Sequence, residues 1–198
     1  MKTKSKSDKP LKSSKFFYGW WVVTACFIIS LFTAGVILMG FTVFFEPIAH
    51  TFNWSYAQVS LAATIQVILF AAMSPLAGSI ADKWGARKLI ITGIILVCAG
   101  LFLVSRSTSL WMFYLSFAMA SIGFGACGGM ALTTTVVHWF KRRVSLAIGI
   151  SSSGLLTGGV LIPLITYLVD SYGWQNALVF ICVAFLVILI PMALLIRN

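Results

Sequence analysis

The sequence is poor in charge. Only 9% of its 198 residues are Asp, Glu, Lys or Arg, and only four of them are acidic. A soluble domain carries about 25%, so an ordinary water-facing surface is excluded. The four cysteines (Cys26, Cys98, Cys127, Cys182) have no paired spacing and each falls inside an apolar run. They read as buried free thiols, which excludes both a disulfide framework and a thiolate zinc site. His50 and His138 are single and far apart in the chain, so no metal-ligand cluster and no metal cofactor is expected. They read as residues of the membrane interface. Gly149-Ile-Ser151-Ser152 is not the Gly-x-Ser-Gly of an intramembrane serine protease, and no Asn-Pro-Ala pair points to a water channel. An enzyme is not expected, nor any cofactor.

Apolar residues are what is abundant: 60% of the chain, with a mean hydropathy of +1.02. Six runs long enough to cross a bilayer as helices at 1.5 Å per residue can be placed at about 19–45, 57–80, 88–104, 110–137, 144–169 and 175–196. None alternates as a strand does, so an all-α membrane protein of six transmembrane helices is expected. The first run is too long for a signal peptide and has no small-residue cleavage site at its end, so it reads as a retained span. Residues 1–15 are polar and lysine-rich and read as a disordered basic tail. Glu46, Pro47 and His50 read as an outer loop, and Ser55-Tyr-Ala-Gln58 as a capping box that opens the second helix.

The net charge of +10 is an orientation signal; nucleic acid is not expected as a partner. Six lysines precede the first span. Lys83, Arg87 and Lys88 lie in the second connection, Lys141, Arg142 and Arg143 in the fourth, and Arg197 at the end. With both termini in the cytoplasm, thirteen of the fourteen basic residues face inward and only Arg106 faces out, as the positive-inside rule requires. Weak attraction to anionic membrane lipid follows.

Polar residues are unevenly shared. The sixth run has none between Ala177 and Pro191, and the third has only Thr92 before Ser105. The first, second, fourth and fifth carry several each, among them Thr33, Gln66, Thr134 and Ser152. Helices along a water-filled path retain such groups more cheaply than helices in lipid. Helices one, two, four and five are therefore expected to line a path, with three and six outside. Gln66 is either a solute-facing amide or an interhelical hydrogen-bonder. Phe52-Asn-Trp54 before the second helix echoes Tyr172-Gly-Trp174 before the sixth.

Two connections carry recognisable patterns. The first is Gly78-x-x-x-Asp82-Lys83-x-Gly85-x-Arg87-Lys88, four charges packed into seven residues between two apolar runs. Mid-bilayer burial would cost each charge roughly 2.5–3.5 kcal/mol, so this turn belongs at a membrane surface. Asp82 there sits at the negative end of its helix dipole and calls for a cation or another helix N-terminus. Gly78, one turn earlier, leaves room for a neighbouring helix. The second is Arg142-Arg143 followed by Gly149, Gly154, Gly158, Gly159 and Pro163, a bald stripe with a residue that bends it.

The first pattern resembles the signature between the second and third helices of the major facilitator superfamily. The second, with Gly40-Phe-Thr-Val-Phe44-Phe45-Glu-Pro47 and Phe52-Asn-Trp54-Ser55-x-x-Gln58, resembles its monocarboxylate-porter-like and oxalate/formate-antiporter-like branches. The resemblance covers residues 18–197. It implies the N-terminal half of that fold, six helices in a 3+3 inverted repeat, with Gly78, Asp82, Lys83, Gly85, Arg87 and Lys88 as a latch between halves. It also implies a secondary transporter of a small organic anion, a mono- or dicarboxylate, working by alternating access only with a C-terminal six-helix half that this chain lacks. A transport-inactive six-helix fragment, a carrier of another small solute and a half-sized carrier acting as a dimer are the other readings. Two departures matter: Tyr18-Gly19-Trp20-Trp21 lacks the acidic residue that animal monocarboxylate porters carry there, and no arginine precedes Gly123-Phe-Gly125, which counts against drug/proton antiport.

Overall fold

A computed structural model describes residues 19–140 and 143–196. The expected tail at residues 1–15 and Arg142 lie outside the described residues. Among the described residues six helices are long and apolar enough to cross a membrane: α1 (Gly19–Phe52), α2 (Tyr56–Trp84), α3 (Ala86–Ser105), α4 (Leu110–Trp139), α5 (Val144–Tyr172) and α6 (Trp174–Leu195). No strand occurs among the described residues.

Local chemistry sets the helix ends. Ser55 closes a full capping box, with Gln58 N donating to Ser55 Oγ at 3.3 Å and Ser55 N donating to Gln58 Oε1 at 2.9 Å. Gly85 alone joins α2 to α3 at φ 88°, and Gly173 alone joins α5 to α6 at φ 80°, backbone that a side chain would strain. One expected boundary is corrected. Glu46, Pro47 and His50 are not in a loop, because α1 continues to Phe52. Phe41, Phe44 and Ile48 are buried and carry the helical apolar face past the proline, and the helix stops only at left-handed Asn53.

The packing has the exchange pattern of two three-helix repeats. α1, first of its triplet, packs on α5, the middle helix of the second; α4 packs reciprocally on α2. Small residues set these crossings. A Cβ at Gly158 would lie 2.6 Å from Gly35 N, and one at Gly154 would lie 2.5 Å from Phe27 O. Gly93 meets Cys127 and Gly100 meets Ala120 across α3 and α4 in the same way. This zipper buries α3 more than a purely outer helix would be. Beyond their first turns, which expose Lys88 on α3 and Gln175 and Asn176 on α6, the exposed large residues of α3 (Ile95, Phe102, Leu103) and of α6 (Phe180, Val183, Leu186, Val187, Leu194) are nonetheless apolar. All four cysteines are buried free thiols.

Three helices depart from α geometry inside the bundle. α1 widens into a π segment at Ala34–Met39, closed by Gly40 N donating to Gly35 O at 2.8 Å. α4 breaks at Gly128, whose backbone is extended, and restarts at Gly129. α5 tightens into a 3₁₀ turn at Gly158–Leu161, with Pro163 in the first turn of the α segment that follows. The π and 3₁₀ segments touch at the Gly35–Gly158 crossing. The two ends of the bundle also differ. At the end away from Lys83 and Lys88, Trp54 stacks on Phe52 at 4.5 Å and reaches Phe113 at 5.4 Å, while Trp174 Nε1 donates to Thr51 Oγ1 at 3.0 Å. Phe52 and Trp174 meet at 5.9 Å, so the echoed aromatic stretches are neighbours in space.

Candidate functional site

The far segment of α1 and the second segment of α4 lie between α2 and α5. These four pieces form one face of the bundle. Its edges are the least buried helices: only 17% of the most apolar stretch of α2 and 22% of that of α5 lie inside the bundle. Ser60, Thr64, Val67 and Ser79 are exposed on α2, and Ser145, Gly149, Ser152 and Leu156 on α5. Between them run Leu38, Thr42, Glu46 and His50 of α1, four residues apart and all exposed. Glu46 and His50 approach at 3.8 Å.

The four residues expected along a path separate into two pairs. Ser152 is exposed and Thr134 half-buried on this face, with Thr134 Oγ1 donating to Met130 O at 2.7 Å. Thr33 and Gln66 are buried at 1% and 3% exposure, and Gln66 makes the interhelical bond that was one of its two readings. Thr33 Oγ1 donates to Ile29 O at 2.6 Å, and Gln66 Nε2 donates to Ile37 O of the π segment at 2.8 Å. A hydroxyl bonded to the carbonyl four residues back needs no water. Thr24, Ser116, Ser121 and Thr135 are satisfied in that way as well, so counting polar residues per helix overstates contact with solvent.

At the basic end the charged turn is mostly helix. Asp82 and Lys83 occupy the last turn of α2, Gly85 makes the turn itself, and Arg87 and Lys88 open α3. Asp82, Lys83 and Lys88 are exposed. A groove of about 850 Å³ runs from Asp82 and Trp84 to Thr134, His138 and Trp139 of α4 and reaches Ile196. His138 Nδ1 lies 2.9 Å from Thr134 O, which fits a tautomer protonated at Nδ1. Among the described residues no cation lies within ion-pair distance of Asp82. Among the described residues a Cβ at Gly78 or Gly149 would meet nothing within 4 Å, so the described bundle does not use the room those glycines leave. Arg143 caps α5 in a left-handed conformation at φ 63°. Pro163 is exposed on the same helix.

The Major Facilitator Superfamily model matches residues 9–198. The chain belongs to that superfamily. Among the facilitator relatives, bovine (Bos taurus) monocarboxylate transporter 13 is 35% identical over 170 residues, 83% of this chain and 38% of the relative. Monocarboxylate transporter 2 of Mesocricetus auratus is 30% identical over 162 residues, 80% of this chain and 33% of the relative. Human (Homo sapiens) monocarboxylate transporter 12 is 30% identical over 163 residues, 81% and 31% respectively. The chain thus spans about a third of the length of the curated relatives it matches. It is a multi-pass membrane protein.

Sequence reasoning missed three features of this face. The Thr42-Glu46-His50 row was hidden by reading Pro47 as a loop. The π turn carried one signal, Gly40, where a Cβ would lie 2.5 Å from Val36 O. The break in α4 carried another, the Gly128-Gly129 doublet.

Proposed function

We propose that this chain is the N-terminal half of a secondary transporter for a small organic anion, a mono- or dicarboxylate. It works by alternating access once a second six-helix bundle covers the face between α2 and α5. One observation carries the reading. The helices that bury least within the bundle are the two that border its polar-lined face, and each holds a glycine there that no described residue fills. Small residues of this kind let membrane helices approach closely. The names of the relatives supply the substrate class, since they are monocarboxylate transporters.

In this reading the basic end faces the cytoplasm of a cell membrane, as its charge requires. Asp82, Lys83, Gly85, Arg87 and Lys88, with Gly78 beside them, form a latch at that surface. Asp82 sits where its own helix dipole disfavours it by roughly 0.3–1 kcal/mol, so a helix N-terminus or cation from the second bundle stabilises it in the latched state. The chain binds and moves solute and catalyses no bond change. The test is uptake of radiolabelled lactate and oxalate into vesicles carrying the chain together with its C-terminal half. Uptake by the pair and a clear loss in Asp82→Asn are expected. Equal rates in the variant remove the latch, and no carboxylate uptake by the pair removes the substrate class.

A further inference from the structure

Gln66 lies on α2, yet the group it holds belongs to α1. Its partner is a carbonyl oxygen, so the bonded atom is the amide nitrogen, at 2.8 Å from Ile37 O. Ile37 is in the middle of the π segment, and both residues are buried at 3%. A π turn accommodates one more residue than an α turn, and its i→i+5 ladder is rarely sustained without support from outside. Here the support is specific. Gln66 donates to Ile37 O, Thr42 Oγ1 donates to Met39 O at 2.6 Å, and Gly40 leaves out the side chain that would collide with Val36 O.

We propose that Gln66 is a positioning residue that holds α1 in its π register and so decides which side chains of the far segment face the path. Without its donor, the buried Ile37 carbonyl is best satisfied by the α ladder of its own helix. The extra residue then leaves the widened turn, and everything beyond it rotates by about 100° relative to the segment below, one residue of an α-helix. Each residue takes the place of the next. Phe41, Phe45 and Ala49 move onto the stripe now held by Thr42, Glu46 and His50. A row with a hydroxyl, a carboxylate and an imidazole becomes two phenyl rings and a methyl. Phe27 and Leu31, packed on Gly154 and Gly158, anchor the segment below the π turn, so the far segment is the part that turns. The consequence for solute passage rests on the reading of this face as the path; the register change does not.

The experiment is labelling by a membrane-impermeant sulfonated maleimide at His50→Cys or Ala49→Cys, in vesicles and without solute. The four native cysteines are buried and give a low background. With Gln66 present, the cysteine at 50 is expected to react fast and the one at 49 slowly. In Gln66→Met, which keeps length and volume but cannot donate, that order reverses. Deleting Leu38 in the Gln66→Met background removes the extra residue, regularises the helix and restores the original order. An unchanged order in Gln66→Met overturns the proposal, as does a reversal that the deletion fails to correct. If Gln66→Met does not fold, the proposal requires that the deletion rescue folding, and failure of both variants overturns it. Loss of carboxylate uptake as the transport reading predicts it is a separate result, because labelling needs no transport.

Discussion

The glycines of α2 and α5 do two different jobs. Gly154 and Gly158 are filled from outside, with α1 backbone where a Cβ would go. Gly78 and Gly149 face nothing within 4 Å among the described residues. Gly149 and Gly154 are five residues apart on one helix, so neither residue type nor span distinguishes them. What differs is the face. The filled pair looks into the six-helix bundle and sets the α1–α5 crossing. The open pair looks out from the two least buried helices. A membrane helix gains little from a bald surface turned to lipid, where close backbone approach has no partner.

Substitution should break this contrast most at the filled sites. Gly158→Ala places a methyl 2.6 Å from Gly35 N, backbone that cannot step aside, and overpacking of this kind costs typically about 1–3 kcal/mol. The expected outcome is a clear drop in the thermal midpoint of the detergent-solubilised chain, with Gly154→Ala close behind. Trp174→Phe probes the aromatic end of the bundle. It keeps the ring contact with Phe52 and loses the bond to Thr51 Oγ1, worth about 0.5–1.5 kcal/mol, and the same melt should show a smaller loss. Gly78→Ala and Gly149→Ala are expected to leave the midpoint of the chain alone unchanged or slightly raised, since alanine is the better helix former by about 1 kcal/mol. Their effect should appear only as reduced uptake once the C-terminal half is present. Equal destabilisation by Gly149→Ala and Gly158→Ala in the isolated chain would erase the distinction.

Much of the architecture was legible in the sequence because lipid imposes a simple rule. Six apolar runs without alternation leave only helices, and Ser55-x-x-Gln58 marked the cap of α2, whose first residue lies one before the expected start near 57. The far end of α1 was not legible. Pro47 reads as a breaker, but Phe44 and Ile48 continue the buried face around it. The polar residues expected along a path separate by burial. Ser152 and Thr134 lie on the face between α2 and α5, whereas Thr33 and Gln66 spend their donors on backbone carbonyls. Hydrogen bonds that close within a helix, or between a side chain and a distorted turn, leave no periodic trace. The superfamily pattern around Asp82 identified the turn, yet nothing in it indicated that the carboxylate would have no counter-charge among the described residues.

The face between α2 and α5 is tested most directly by protection of single cysteines at Ser79 and Ser152, with and without the proposed C-terminal half. Both side chains are exposed in this bundle. Both should react readily with a thiol reagent in the chain alone and become protected when the second half is co-expressed. A cysteine at Val183, exposed on the apolar outer side of α6, should react equally in the two cases. Unchanged reactivity at 79 and 152 in the presence of the second half would contradict the account.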